Sequence, residues 1–288
     1  MKKVLIFGIS GMAGHMIYYH LSKKSNYKVF GTARGKTVFD NTISLDVANF
    51  RDVENLIQQV NPDIIVNAIG VLIKGSRSDS SNAILINSYF PHFLEKLCRK
   101  QSCRLVHIST DCVFSGNDGM YKEASFRDAD DVYGRSKTLG EINNDIDITI
   151  RTSIIGPELK DEGEGLFHWF MSQSGTINGF ENVYWGGVTT LELAYNIDSI
   201  IQKEITGIFQ LTNGKKISKY DLLQLFKNIW GKDDVKINKT KSTPKDKSLV
   251  NTRKSEHELS KTYKTMLLEL KEFMRENHIL FEYTQRYH

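Results

Sequence analysis

Tyr133 and Lys137 stand four residues apart in the segment YGRSK, a spacing that sets both side chains on one face of a helix. A free tyrosine ionises at about pH 10, too high for proton exchange near neutrality. A neighbouring ammonium favours the phenolate and lowers that value. Such a pair can pass a proton to or from the oxygen of a carbonyl whose carbon receives hydride. The spacing by itself also describes a tyrosine and a lysine that merely share a surface helix. The segment Ser109-Thr110-Asp111-Cys112-Val113-Phe114-Ser115-Gly116 narrows the choice. It directly follows an apolar run, Arg104 to Ile108, that reads as a strand. A hydroxyl at such a strand end can hydrogen-bond a carbonyl oxygen as charge grows on it.

A second cluster lies at the N-terminus. Val4 to Phe7 is a continuous apolar run of the kind found in strands covered on both faces. Gly8-Ile9-Ser10-Gly11-Met12-Ala13-Gly14 follows at once, then a helical pattern to Leu21. The first glycine permits a sharp turn, the second a close approach to a pyrophosphate, and the third tight helix–strand packing. The helix start turns its free N–H groups toward the phosphates. The strand-then-helix context is what a dinucleotide site requires. Met1-Lys2-Lys3 before VLIFGI could also open a signal peptide, but the glycines interrupt the apolar stretch and no cleavage site follows. After the second strand, Tyr27 to Ala33, stands Arg34, with Lys36 nearby. A guanidinium there suits a 2′-phosphate, so NADPH (NADP) is expected and NADH less so. Asp46, after Ile43 to Leu45, is placed to meet the adenine edge.

Strand and helix patterns then alternate: a helix over Phe50 to Val60, a strand over Asp63 to Ala68, a helix within Ser80 to Lys100, and strands at Arg104 to Ile108 and Asp147 to Arg151. Alternation of this kind implies an α/β fold, a Rossmann-type doubly wound parallel sheet. Ligands in such sheets sit at the carboxyl ends of the strands, where Gly8, Gly70, Ser109 and Arg151 fall. We expect a nucleotide-binding domain over 1–155 and a smaller C-terminal α/β substrate domain over 156–288, with the chain free to cross between them. In the second part, helices are expected at Gly165 to Ser172, Thr190 to Gln202, Ser218 to Trp230 and Lys264 to Asn277. Short strands are expected at Thr176 to Trp185 and Gly207 to Thr212.

At 288 residues, 40% apolar and 25% charged, the chain reads as an ordinary globular protein. No run of about 18 apolar residues occurs, which argues against a membrane span. Cys98, Cys103 and Cys112 show no metal-ligand spacing and read as reduced thiols of a cytoplasmic protein with no bound metal. The net charge of +4 is uneven: Leu211 to Ser255 holds twelve Lys or Arg and four Asp, a net of +8. A basic stretch can attract anions. It carries no nucleic-acid motif or aromatic interleaving, so it reads mostly as a solvated face.

The glycine triplet, STDCVFSG and YGRSK in this order resemble the extended short-chain dehydrogenase/reductases. Within them the chain is similar to the dTDP-4-dehydrorhamnose reductase-like family, and closest to reductases of UDP-2-acetamido-2,6-dideoxy-4-hexuloses in surface polysaccharide (O-antigen or capsule) synthesis. YGRSKTLGE, ITIRTSIIGPEL, RLVHISTDCVFSG, INSYFPH and ISKYDLL carry the likeness. The resemblance implies NADPH-dependent reduction of a 4-keto-6-deoxy nucleotide sugar. It makes Thr110 the partner of the keto oxygen, Tyr133 the proton donor, and Lys137 the holder of the nicotinamide ribose that also depresses the tyrosine. The cofactor set it implies is Gly8, Ser10, Gly11, Met12, Gly14, Arg34, Asp46, Val47, Ala68, Ile69, Gly70, Asn87 and Ser109, with Tyr133 and Lys137. Asp111, Val113, Arg151, Ser153, Trp185 and Arg253 would meet the sugar nucleotide. Lys215, Lys216, Lys245, Lys247 and Asn251 are further candidates for its diphosphate, and Trp169 for stacking. Ile154 stands where rhamnose-type reductases carry a tryptophan, which favours the acetamido sugar. A homodimer is possible. The alternatives are an epimerase or dehydratase on the same fold, and a catalytically idle NADP-binding regulatory subunit.

Overall fold

The computed structural model describes residues 1–281 apart from 36 and 40. Lys36 and the tail from residue 282 lie outside the described residues. The chain divides into two compact units. The first holds Met1–Ser115, Phe126–Arg151 and Ala194–Phe209; the second holds Gly116–Ser125, Thr152–Leu193 and Gln210–His288. The chain crosses between the two units at several points. Residues 116–125 leave the first unit early, and 194–209 return to it, because the strand Gly207–Gln210 completes the first unit's sheet.

The first unit opens with β1 (Lys2–Phe7), α1 (Met12–Ser22), β2 (Tyr27–Ala33), β3 (Thr42–Ser44), α2 (Phe50–Val60) and β4 (Ile64–Asn67). Then come the short helices α3 (Ile73–Ser78) and α4 (Ser80–Ile84), followed by α5 (Phe90–Gln101), β5 (Arg104–Thr110), α6 (Val132–Leu139) and β6 (Ile148–Thr152). The seven-stranded sheet runs Gly207–Gln210, β6, β5, β4, β1, β2, β3. β1 pairs in parallel with β2 and with β4, and β4 pairs in parallel with β5. From β1 the chain builds outward on one side to β2, then crosses to the other side at β4. The carboxyl ends of β1 and β4 thus flank the switch point, where open α/β sheets bind ligands.

Apolar spacing explains the core. Val53, Leu56, Ile57 and Val60 form one buried stripe on α2, and Phe90, Leu94 and Leu97 another on α5. Both stripes join Leu5, Phe7 and Leu105 of the sheet in one cluster, with Phe7 and Phe90 meeting edge to face at 5.7 Å. The long helix expected within Ser80 to Lys100 is α5, and a different turn precedes it. A π-turn spans Leu85–Tyr89, an inserted residue of a kind that recurs at functional sites, and it contains Asn87.

The second unit pairs Gly175–Phe180 in parallel with Val235–Thr240. Val183–Trp185 lies between Ile217–Ser218 and Lys245–Asp246. Its helix Lys219–Trp230 starts at Ser218, whose hydroxyl accepts the Asp221 N–H at 3.0 Å, and it buries Phe226 against Phe167 and Phe170. The helix Tyr263–Glu276 buries Met266, Leu267, Leu270 and Met274. Among the described residues no helix is long and apolar enough to cross a membrane, and no group of three or more His, Cys, Asp or Glu could hold a metal ion.

Candidate active site

The glycine loop turns where its sequence demands. Gly8 has φ +93°, and a Cβ there would stand 2.7 Å from Ile69 Cγ1. A Cβ on Gly14 would lie 2.1 Å from the Gly8 carbonyl oxygen, so α1 seats directly on the end of β1. Gly11 caps α1 with no side-chain hydrogen bond, and no acidic residue occupies the first turn. Ser10, Gly11, Met12, Ala68 and Ile69 are partly exposed and Gly70 is exposed, which leaves backbone approachable at the switch point. Inside α1, His15 donates Nδ1–H to the Gly11 carbonyl at 2.9 Å. Its burial lowers the imidazole to about 4. Arg34 is exposed just past β2. Asp46 accepts the Ala48 N–H on Oδ1 at 3.1 Å. Val47 is buried in the core cluster, so only its backbone could contribute to a cofactor contact.

Asn87 joins three segments. Its Oδ1 accepts the Val71 N–H at 2.8 Å, and its Nδ2 donates to the Val71 carbonyl and to Ser136 Oγ, each at 3.0 Å. The side chain is therefore a clamp between the loop after β4 and α6, positioning both. Gly140 makes the contact possible, since a Cβ there would lie 1.9 Å from the Asn87 carbonyl oxygen.

α6 is aimed by local chemistry. Asp131 accepts the Gly134 N–H at 2.8 Å and caps the helix. A Cβ on Gly134 would lie 2.2 Å from the Cys112 carbonyl oxygen, so glycine alone lets this helix start pack on the turn Asp111–Val113. That packing brings Tyr133 to Thr110. The threonine hydroxyl donates to Asp111 Oδ1 at 3.2 Å and accepts the Cys112 N–H at 3.1 Å, and it lies close enough to the Tyr133 phenol to favour its ionised form. Lys137, one turn on, is buried and donates Nζ–H to the Ile108 carbonyl at 2.7 Å.

The electrostatics of this pair differ from the sequence argument. Burial pushes the Tyr133 phenol well above its ordinary value. Cys112, Asp111 and Asp131 push the same way, while the Thr110 hydroxyl pulls it down. Lys137 does not offset this, because its ammonium is turned to Ile108. Burial in turn lowers Lys137 to about 8, against an opposing pull from Glu141.

Four of the expected substrate contacts are buried or already paired within the chain. Arg151 is 2% exposed. Its guanidinium grips Glu141 and lies 5.3 Å from the Phe114 ring centre, so it belongs to the core of the first unit. Val113 is fully buried and presents no side-chain surface to a sugar. Trp185 is buried against Tyr263 and donates Nε1–H to Ser153 Oγ at 2.9 Å, so it offers no stacking face, and the Ser153 hydroxyl is engaged by it. Arg253 pairs with Glu256, with its backbone N–H held by Asn251 Oδ1 at 2.7 Å; an anion would have to displace that carboxylate. Lys216 pairs with Asp246. Ser109 donates to Glu141 Oε1 at 2.8 Å, an inward contact. Asp111 stays beside Thr110 and Tyr133, and Trp169 is substantially exposed.

Glu141 is the residue the sequence reading missed. It gathers Ser109, Arg127 and Arg151 and so ties β5 and β6 to the segment after α6. Its only sequence signal is the position eight residues after Tyr133.

The RmlD substrate binding domain family matches residues 1–284. The chain belongs to that family. One relative is a dTDP-4-keto-6-deoxy-D-glucose reductase of Streptomyces niveus, 26% identical over 66% of this chain and 68% of the relative. Another is methionine adenosyltransferase 2 subunit beta of Xenopus tropicalis, 24% identical over 77% of this chain and 70% of the relative. For several other curated relatives the match spans a little under half of their length. Among solved structures, a hypothetical dTDP-4-dehydrorhamnose reductase from Sulfolobus tokodaii aligns with a TM-score of 0.75 at 25% identity, covering 91% of this chain and 96% of the other. The dTDP-4-dehydrorhamnose reductase of Bacillus anthracis, solved in complex with NADP, aligns with a TM-score of 0.81 at 19% identity over 95% and 99%. The RmlD-type family and the Rossmann-like fold expected from the motifs are thereby established.

Proposed function

We propose that the protein is an NADPH-dependent oxidoreductase that reduces the 4-keto group of a 4-keto-6-deoxy nucleotide sugar. A UDP-2-acetamido-2,6-dideoxy-4-hexulose is favoured over dTDP-4-dehydrorhamnose, and the product would feed surface polysaccharide. The observation that carries this reading is Tyr133 set beside the Thr110 hydroxyl, with Lys137 one helical turn behind it. Relatives named as reductases of dTDP-linked ketosugars support it. Ile154 supports the acetamido substrate.

The residues present suit a dinucleotide. Gly8 and Gly14 keep Cβ atoms out of the β1–α1 turn, and the start of α1 carries neither a capping side chain nor an acidic residue, which favours a pyrophosphate there. Arg34 would take the 2′-phosphate. NADPH, when bound, supplies the hydride. Thr110 would orient the keto oxygen and Tyr133 would deliver its phenolic proton to that oxygen, leaving a hydroxyl. A phenol kept protonated by burial suits the donor role in this direction.

The likeness to methionine adenosyltransferase 2 subunit beta favours a second reading, an NADP-binding regulatory subunit. The presence of Thr110, Tyr133 and Lys137 together favours catalysis. The test is NADPH oxidation against a panel of UDP- and dTDP-linked 4-keto sugars, with NMR of the product. Tyr133→Phe is expected to lower turnover at least about a hundredfold while NADPH still binds. A panel with no response leaves the regulatory reading.

A further inference from the structure

Behind Lys137 lies a buried polar chain that the reaction as described does not use. Asn67, at the end of β4, and His107, in β5, are fully buried, and Lys137 nearly so. Asn67 Oδ1 accepts the Ile69 N–H at 3.2 Å. Its Nδ2 faces His107 Nδ1 at 3.2 Å, and His107 Nε2 faces Lys137 Nζ at 3.5 Å.

The polarity of this chain is fixed at one end. A backbone N–H only donates, so Asn67 must present Oδ1 to Ile69 and Nδ2 to His107. An amide NH₂ also only donates, so His107 Nδ1 must accept and carries no proton. The ring is buried and held neutral, since burial alone pushes it far below its ordinary value. Its single proton therefore sits on Nε2 and points at Lys137. An ammonium has no lone pair with which to accept it. An amine does, and can still donate to the Ile108 carbonyl.

We propose that Asn67 and His107 are positioning residues for Lys137: anchored on the Ile69 backbone, they hold His107 as a donor toward the lysine and so favour its uncharged form. The inference rests on the reading of Lys137 as part of the reductase machinery. It links the loop that follows β4, where Ala68 to Gly70 were assigned to the cofactor, with the charge of a residue on α6. The other titratable groups near Lys137 are Tyr133, one turn earlier on α6, and Glu141, just past the end of that helix. Glu141 favours the ammonium but is itself engaged by Arg151 of β6 and by Arg127. Burial by itself lowers Lys137 to about 8, and the His107 donor would act in the same direction.

The first test is two-bond proton–nitrogen NMR of the free protein with ring-labelled histidine, the His107 signals being assigned by their loss in His107→Gln. A protonated Nε2 and a bare Nδ1 are expected; the reverse tautomer overturns the proposal whatever the substrate. The second test is the pH profile of turnover. His107→Phe removes the donor but keeps a ring, and should move the limb due to Lys137 upward by about one unit. His107→Gln, which keeps an N–H, should move it back. An unmoved limb in an active His107→Phe enzyme overturns the proposal. A wild-type protein inactive on every ketosugar would instead bring down the reductase reading, with the tautomer still deciding the geometry.

Discussion

Arg151 meets Glu141 in a two-pronged grip, Nε to Oε1 at 2.7 Å and Nη2 to Oε2 at 2.8 Å, with both side chains shut off from solvent. Breaking a buried pair costs about 3–5 kcal/mol, here lessened because Arg127 still meets Glu141, whereas replacing both partners by apolar groups of similar volume can be nearly neutral. Arg151→Met should therefore lower the urea midpoint sharply, and Arg151→Met combined with Glu141→Leu should recover part of the loss. The surviving folded Arg151→Met enzyme should keep its KM for the sugar nucleotide. A KM raised tenfold with unchanged stability would return Arg151 to the substrate site.

Lys137 carries a different conflict, between stability and chemistry. Its value falls from the ordinary 10.5 to about 8, so between these pH values the unfolded chain binds more protons than the folded one. Stability should rise with pH across that window, and below it the folded protein bears the full cost of a buried ammonium. Lys137→Met removes the cost. Near pH 7 it should raise the unfolding free energy by about 1–3 kcal/mol, part of the gain being offset by the orphaned Ile108 carbonyl. Turnover should fall at the same time. A variant less stable than wild type at pH 7 would show that Lys137 is a net structural support.

Cofactor choice turns on Arg34, which stands exposed one residue past β2. A guanidinium attracts the 2′-phosphate that distinguishes NADPH, while a carboxylate repels it and accepts from a free 2′-hydroxyl. Arg34→Asp should weaken NADPH binding at least about tenfold and leave NADH binding unchanged or tighter. Fluorescence titration with both nucleotides reads the difference. Equal weakening of the two would remove Arg34 from the 2′-phosphate.

What the sequence made legible was local. The run from Val4 through Gly14 defines a strand, a turn and a helix from neighbours alone. The α2 stripe is set by a 3.6-residue repeat, and YGRSK places Tyr133 and Lys137 on one face. Side-chain direction at strand ends was not legible. All five residues of β6 are buried, so alternation gives no sign of whether Arg151 faces ligand or core; that is decided by Glu141, ten residues earlier and on another element. The Asn67–His107 contact spans 40 positions and exists only because β4 and β5 pair in register, Asn67 beside His107. Trp185 read as a contact for the sugar nucleotide because an indole suits either a sugar or a core. Only its packing against Tyr263 and its bond to Ser153 separate the two.

Acid should act on the glycine loop through His15. The imidazole is buried under the loop that it braces, and its value drops from 6.5 to about 4. The unfolded chain takes up this proton first as pH falls, so the contribution of His15 is intact above 6.5 and is lost between 6.5 and 4. The loss approaches about 3 kcal/mol at the lower end. His107, also held neutral by burial, titrates in the same direction and deepens the fall. His15→Gln keeps a donor for the Gly11 carbonyl but does not titrate, so its stability should decline less steeply with acid, with the His107 share remaining. Urea midpoints taken every half unit from pH 7 to 4 would show the two curves converging. Parallel curves would mean that water reaches the His15 ring and that the turn between β1 and α1 is looser than its close contacts require.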